Sequence, residues 1–319
     1  MSKLRILVSD QFNPYINVAV ENYLLGCPAD DTLTLYLWQN RRTVVIGQNQ
    51  NPFSECNLDQ LLADGGYLMR RRTGGGAVYH DDGNLNFSFL IPHDTYSVER
   101  QFAVIAAALK PFGLETETSG RNDMLCQGRK FSGNAFAVGE NRRLHHGTLL
   151  IAGNMDDLKR YLKVKPSKLV KHGVGSVQGR VINISELNQA ITANSIKPHL
   201  ISAFQSEYGQ VAETLDFHAI ANLPEVKAII ATMSSDEWLY GRWRNFEATR
   251  SAQFEWGNVD ISLSVDSASN TIQSATIATD ALNTTIANRV AAMLTGQSTL
   301  VRPHTNDDAE NDILDLIYN

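Results

Sequence analysis

The chain has 319 residues, 43% of them apolar and 19% charged, and carries a net charge of −6. That length suits one large domain plus a smaller one, the composition is that of an ordinary globular protein, and the acidic balance argues against nucleic acid as the main partner. No apolar run reaches membrane-span length, MSKLRILVSD lacks the apolar core of an export signal, and Cys27, Cys56 and Cys126 have no C-x-x-C spacing, so a soluble chain in a reducing cytoplasm is expected, without a disulfide framework or a cysteine zinc site.

In chain order, Leu4 to Val8 reads as a first strand. Asn13-Pro14 then starts a helix, with Asn as cap and Pro at the first helical position. Leu33, Leu35 and Leu37 alternate with Thr34, Tyr36 and Trp38, which predicts a half-buried strand. Val44 to Ile46 is a short strand, and Leu58 to Ala63 a short helix closed by Gly65-Gly66. Asn84 to Leu90 reads as a strand returning along Tyr67 to Arg71 or Ala77 to His80. Ser97 to Phe112 is the clearest helix. Phe131 to Val138 and Leu144 to Ala152 form a hairpin around Gly139-Glu140-Asn141. Helices are expected at Met155 to Leu162, Asn194 to Tyr208 and Pro224 to Met233, with a loop over Lys163 to Gly179. Strands near Trp256 to Val265 and Thr271 to Ala278, then helices at Thr284 to Leu294 and Ile313 to Ile317, make a second unit. The reading is an α+β fold with a large mixed sheet and a small α+β C-terminal accessory domain. The expected boundaries are 1–244, a linker at 245–253, and 254–319.

Chemistry concentrates around Arg70 to Phe89 (RRRTGGGAVYHDDGNLNFSF). Three glycines in a row let backbone lie against a ligand, free N–H groups there can cradle an anion, and arginine adds donors matched to carboxylate or phosphate. The stretch is neither a Walker loop, since no Gly-Lys-Ser/Thr follows, nor a GxGxxG opening a helix. Three further stretches gather Gly, Arg, Lys and His: Ser119 to Phe136, with Arg121, Asp123, Arg129 and Lys130; His145 to Leu150; and Lys171 to Asn183, with Arg180. Such loops in an acidic protein suit an enzyme that brings together a nucleoside triphosphate and a carboxylate.

Taken together, these stretches resemble the lipoate-protein ligase A family of the biotin and lipoate ligase superfamily. The matching pieces are VVIGQNQNP at Val44 to Pro52, RRTGGGAVYHDDGN at Arg71 to Asn84, SGRND at Ser119 to Asp123, RKFSG at Arg129 to Gly133, HHGTLL at His145 to Leu150 and GVGSVQGRV at Gly173 to Val181. Only Met124 to Gly128 separates Asp123 from Arg129, a shorter segment than the family's charged insertion. The resemblance implies a two-step reaction. Lipoate and ATP give lipoyl-adenylate and pyrophosphate, and the lipoyl group then passes to a lysine ε-amine of a lipoyl domain, as in 2-oxoacid dehydrogenase E2 subunits and the glycine cleavage H protein.

By the same resemblance, Lys130 is the catalytic cation touching the carboxylate and the α-phosphate. Arg71 and the backbone of Gly76, Ala77, Val78 and Tyr79 contact ATP. Lys130, Arg71, Thr73 and His80 face lipoate. Asp123 holds Mg²⁺ at the phosphates or orients ribose or the acceptor lysine, His146 and Arg180 are further site residues, and Lys163 to Arg180 covers the adenylate. A monomer acting on lipoate, ATP and lipoyl-domain proteins is expected. Two alternatives remain open: an ATP-independent octanoyl or lipoyl transferase with a cysteine nucleophile, for which Cys126 is the candidate, and a non-catalytic lipoyl- or carrier-binding protein.

Overall fold

A computed structural model describes residues 3–28, 30–120, 122–163 and 181–318. β1 (Lys3–Val8) leads to α1 (Pro14–Gly26), which Asn13 caps by accepting from the Tyr15 N–H. β2 (Thr32–Trp38), β3 (Thr43–Ile46), α2 (Pro52–Glu55), α3 (Leu58–Ala63), β4 (Tyr67–Arg70), β5 (Val78–His80) and β6 (Asn84–Pro92) follow. Next come α4 (Val98–Leu109), β7 (Glu117–Ser119), β8 (Asp123–Cys126), β9 (Arg129–Val138), β10 (Arg142–Leu150), α5 (Met155–Tyr161), α6 (Ala193–Tyr208), β11 (Glu213–Thr214), α7 (Phe217–Ala221), α8 (Pro224–Met233) and α9 (Asp236–Tyr240). β12 (Arg250–Phe254), β13 (Gly257–Asp266), β14 (Thr271–Thr279), α10 (Ile286–Leu294) and α11 (Asp308–Tyr318) complete the chain.

The large sheet has the strand order β11-β1-β2-β6-β10-β9-β8-β7, parallel at β11-β1-β2 and antiparallel beyond. A small sheet, β4-β3-β5, stands beside it, and β12-β13-β14 form a third. Two expectations from sequence change here. Asn84 to Leu90 does not return along 67–71 or 77–80: β6 pairs with β2 and β10, and it is β3 that pairs with β4 and β5. β2 is buried along its whole length rather than half-buried. The reason is that both sheet faces are covered. Leu33, Leu35 and Leu37 pack with α4 and α6 through Val104, Ile105, Leu200 and Phe204. Tyr36 and Trp38 pack on the opposite face with Val18 and Leu24 of α1, Val226 of α8, and Val45 and Met69 of the small sheet. Alternation then sorts apolar side chains between two cores instead of between core and water.

Much of the stretch around Asp123 and Lys130, read as a loop, is strand, since β7, β8 and β9 form consecutive hairpins at the sheet's edge. α11 begins earlier than the expected Ile313, because the Asp307 carboxylate accepts from the N–H groups of Ala309 and Glu310 and so caps the helix. In the third sheet, Val259, Ile261 and Ile277 pack against Ile286, Val290, Leu294, Ile313 and Leu314 of α10 and α11. No described helix is long and apolar enough to cross a membrane.

Candidate active site

Between the α1 face of the large sheet and the small sheet lies a cavity of about 310 Å³. α1 contributes Val18 and Glu21, β2 Trp38, β3 Val45, the glycine loop Gly75 to Val78, β5 His80, and β9 and β10 Gly133, Asn134, His146 and Thr148. Arg71, Asn86, Asn122, Lys130 and Asp280 also line it.

Its polar lining is tied into one chain of hydrogen bonds. Trp38 Nε1 donates to Ser88 Oγ at 2.9 Å, and Ser88 Oγ donates to Glu21. His146 Nδ1 lies 2.9 Å from Glu21 Oε1, and its Nε2 lies 2.9 Å from Thr73 Oγ1. Arg71 Nε donates to that same Thr73 oxygen at 3.0 Å. One proton on His146 Nδ1 and one on Thr73 satisfy every contact in the chain. All these groups are buried, where an unmade hydrogen bond would be expensive.

Arg71 is 7% exposed, and its guanidinium donates to the carbonyls of Val45, Gly74 and Gly76 as well as to Thr73. Burial pushes it down to about 10. Arg70 is 3% exposed and donates to five carbonyls: Gly47, Gln48, Gln50, Trp238 and Leu239. The picture of cations aimed at an anion is therefore corrected in part. Two of the three arginines hold backbone in place, and Arg72 is exposed with its guanidinium 5.8 Å from the Trp238 ring. Among the described residues, the cation at the cavity not committed to backbone carbonyls is Lys130, whose Nζ pairs with Asp123 Oδ1 at 2.7 Å in a partly exposed ion pair.

His80 is buried, and its Nδ1 stands 3.3 Å from the Asn40 amide nitrogen. Burial first, then the charge of nearby Arg71, pull it down to about 3, so the ring is neutral. A neutral ring that accepts at Nδ1 carries its proton on Nε2, and that nitrogen has no partner among the described residues. His80 lines the cavity and so offers it a donor. Thr73 lies behind Arg71 rather than in the cavity wall. The Tyr79 side chain turns the other way, into a cluster with Tyr161. Arg180, Lys171 and the rest of 164–180, expected to cover the site, lie outside the described residues, as does Arg121. Glu21, Trp38, Asn122, Asn134 and Asp280 were not singled out from sequence. Only Glu21 left a signal there: with Asn17 it places a polar pair, four residues apart, on the apolar face of α1.

No cysteine lines this cavity. Cys56 and Cys126 are buried, and burial raises the thiols of Cys27 and Cys126 and pushes Cys56 up to about 12. A nucleophilic thiol needs the opposite surroundings. Among the described residues no three His, Cys, Asp or Glu side chains are grouped to hold a metal ion.

The segment after β14 lies on the glycine loop. Gly75 N–H donates to Ala281 O at 3.3 Å, and Thr279 N–H donates to Asn49 O at 2.9 Å. A Cβ at Gly74 would stand 2.2 Å from Ala281 O and 2.6 Å from Leu282 O, so only glycine allows this approach. Gly74→Ala should push the strap off the loop. Overpacking of ~1–3 kcal/mol should speed hydrogen exchange at the Gly75 and Thr279 amides roughly tenfold or more, with β1 and β2 unaffected. Unchanged exchange at both amides would rule the contact out.

Residues 13–205 match the model of the lipoyl protein ligase A/B catalytic domain, and residues 244–300 match that of the bacterial lipoate protein ligase C-terminus. The chain is 41% identical over 288 residues to a lipoate-protein ligase A of Psychrobacter cryohalolentis, covering 88% of this chain and 84% of that one. It is 39% identical to a lipoate-protein ligase A of Bdellovibrio bacteriovorus, covering 83% of this chain and 80% of the relative. Its fold is similar to that of LipL1 of P. falciparum, solved in complex with lipoate, with a TM-score of 0.82 at 28% identity and 99% of each chain covered. With the catalytic-domain model matching more than half of its length, the chain belongs to the lipoyl protein ligase A/B family.

Proposed function

We propose that the protein joins lipoate to ATP to form lipoyl-adenylate and pyrophosphate, and then transfers the lipoyl group to a lysine of lipoyl-domain proteins such as 2-oxoacid dehydrogenase E2 subunits and the glycine cleavage H protein. The observation that carries this reading is the cavity's composition. Val18, Trp38, Val45 and Val78 give it apolar walls suited to an acyl chain, and the cation Lys130 sits beside the glycine loop in the same wall. The lipoate-protein ligases A at 39–41% identity support the same reading.

In the first step a carboxylate oxygen bonds to the α-phosphorus and pyrophosphate leaves. Both reactants are anions, so a cation placed between them stabilises the crowded transition state more than the separated substrates. Lys130 fills that role by giving up Asp123 for the substrate oxygens. Its compact charge on a flexible stem suits bridging. Arg71 acts by fixing the carbonyls of Gly74 and Gly76, which aims the loop's remaining N–H groups at ATP. His80 Nε2–H and the loop backbone of Ala77 and Val78 position lipoate and nucleotide, with Thr73 and His146 holding Arg71 and Glu21 in register. In the second step the acceptor's ε-amine attacks the acyl carbon and AMP leaves. Arg180 and the covering segment would keep water from the mixed anhydride.

Magnesium fits as an ion carried on the triphosphate, since the carboxylates here, Glu21 and Asp280 in the cavity wall and Asp123 on Lys130, form no cage among the described residues. It would neutralise phosphate charge, with Asp123 as the protein's contribution. The division into a catalytic part to 244, a linker at 245–253 and an accessory part from 254 belongs to this proposal. The accessory part would brace the glycine loop through the strap.

The test is lipoate-dependent exchange of labelled pyrophosphate into ATP. Exchange should require Mg²⁺ and survive thiol alkylation. Absence of exchange, together with octanoyl transfer from a carrier that Cys126→Ala abolishes, would replace this reading with the transferase one. None of the three thiols lines the cavity, and Cys56 and Cys126 are buried, which weighs against that; a non-catalytic carrier-binding protein would have no use for Lys130 in the cavity wall.

A further inference from the structure

Behind the cavity, on the α4 and α6 side of the large sheet, lies a histidine with no place in the steps above. His145 is fully buried, and the rings of Phe87, Phe89, Phe102 and Phe136 surround it at 4.8 to 5.7 Å. Its Nδ1 is 2.8 Å from Oε1 of Gln101, and its Nε2 is 2.9 Å from Oδ1 of Asn134. Two oxygens facing the ring would need both nitrogens protonated. Burial, and then His146, pull His145 down to about 3, so the ring is neutral and has a single N–H.

One of the two amides must therefore present nitrogen. Asn134 cannot, because its Nδ2 already donates to Asn122 O at 3.0 Å and to Ser132 Oγ at 3.3 Å. Gln101 can. Its Nε2 has no acceptor among the described residues. Exchanging the oxygen and nitrogen of Gln101 gives His145 Nδ1 a donor.

We propose that hydrogen bonds run in one direction from Gln101 through His145 and Asn134 to Asn122, with His145 fixed as the Nε2–H tautomer, and that His145 is thereby a positioning residue for the Lys130–Asp123 pair. Asn134 is the clamp. Besides its side-chain bond, its backbone N–H donates to Asn122 O at 2.9 Å, and Asn122 Nδ2 donates to Asn134 O at 2.7 Å. These bonds pin the residue just before Asp123, whose carboxylate holds Lys130. The clamp depends on a missing side chain, because a Cβ at Gly147 would stand 2.4 Å from Asn134 Oδ1. A ring protonated at Nδ1 would lose its donor to Asn134, and the Asn134 amide would be free to turn away from Asn122.

The kinetic part of the test rests on the lipoate-activation reading; the spectroscopic part does not. Nitrogen-15 imidazole spectra of the full chain, with His145 assigned by its loss in His145→Leu, should show a bare Nδ1 and a protonated Nε2. An Nδ1–H tautomer or a doubly protonated ring would overturn the proposal. His145→Leu removes the donor, whereas His145→Gln places an amide N–H near the position of Nε2. In pyrophosphate–ATP exchange, His145→Leu should lower kcat roughly tenfold. KM for ATP and lipoate should stay within about twofold, and His145→Gln should recover most of the rate. Equal losses in both variants, or an effect confined to KM, would reduce His145 to a packing residue. If the wild-type protein shows no exchange, the activation reading falls. The wire is then judged by the tautomer and by the Asn122, Asp123 and Lys130 amide signals. Those signals should move in His145→Leu and hold in His145→Gln; the reverse pattern refutes it.

Discussion

Lys130→Ala is expected to slow lipoate-dependent pyrophosphate–ATP exchange by roughly a hundredfold or more, the ~3 kcal/mol typical of losing one well-placed electrostatic group. The cavity explains why this residue should dominate. Arg70 and Arg71 spend their donors on carbonyls, and His80 is neutral, so among the described residues the cation left to meet a ligand beside the glycine loop is Lys130. ATP binding should weaken less than turnover falls, because the glycine loop is held by Arg71 and not by the lysine. Lys130→Arg should recover only part of the rate, since a planar fork cannot bridge two oxygens as an ammonium does. Lys159→Ala is the control: this lysine pairs with Asp156 on α5, away from the cavity wall. Near-normal exchange by a folded Lys130→Ala protein would refute the assignment.

How much of this was legible in the sequence depends on the range of the interaction involved. Helix caps and hairpins are local, so Asn13 before α1 and Gly139 between β9 and β10 could be read directly. Strand partnership is not local. Nothing near Asn84 to Leu90 says that β6 enters the large sheet instead of pairing with β4 or β5. Full burial of β2 depends on α1 and α4 covering opposite faces, and the alternation of Leu with Tyr and Trp is the same whether the second face meets water or a helix. The β8–β9 hairpin was hidden because Gln127, at φ 51°, takes a turn position where Asn or Gly is the usual signal. In the site, the glycine loop was visible as composition and Lys130 through the family resemblance of RKFSG. Glu21, Trp38 and Asp280 were not, because each comes from a different element and is brought in only by the fold. The arginine run shows the opposite error: its charge suggested ligand binding, while its burial gave Arg70 and Arg71 a structural task.

Arg70→Met is expected to destabilise the protein by about 3–5 kcal/mol, a fall of roughly 10 °C or more in Tm. The guanidinium joins three separate segments: β4, the 47–50 loop and α9, through five carbonyl oxygens at 2.7 to 3.2 Å. Trp238 returns a bond from its Nε1 to Arg70 O at 3.0 Å, and the Trp243 ring lies 5.5 Å from the guanidinium. Burial, reinforced by neighbouring Arg242, pushes Arg70 down to about 9. It therefore stays charged at neutral pH, with carbonyl dipoles in place of a carboxylate. Methionine fills much of the volume and removes the cost of burying the charge, but it leaves the carbonyls without donors, and that second effect is the larger one. Lysine keeps the charge with three donors that cannot reach five acceptors spread over two segments, so Arg70→Lys should recover less than half of the loss. Because the 47–50 loop also binds the strap through Asn49 O, Gly75 and Thr279 should lose hydrogen-exchange protection together in Arg70→Met. A Tm within about 2 °C of wild type, measured by circular dichroism, would show that this cation is not what holds α9 to the glycine-loop side of the molecule.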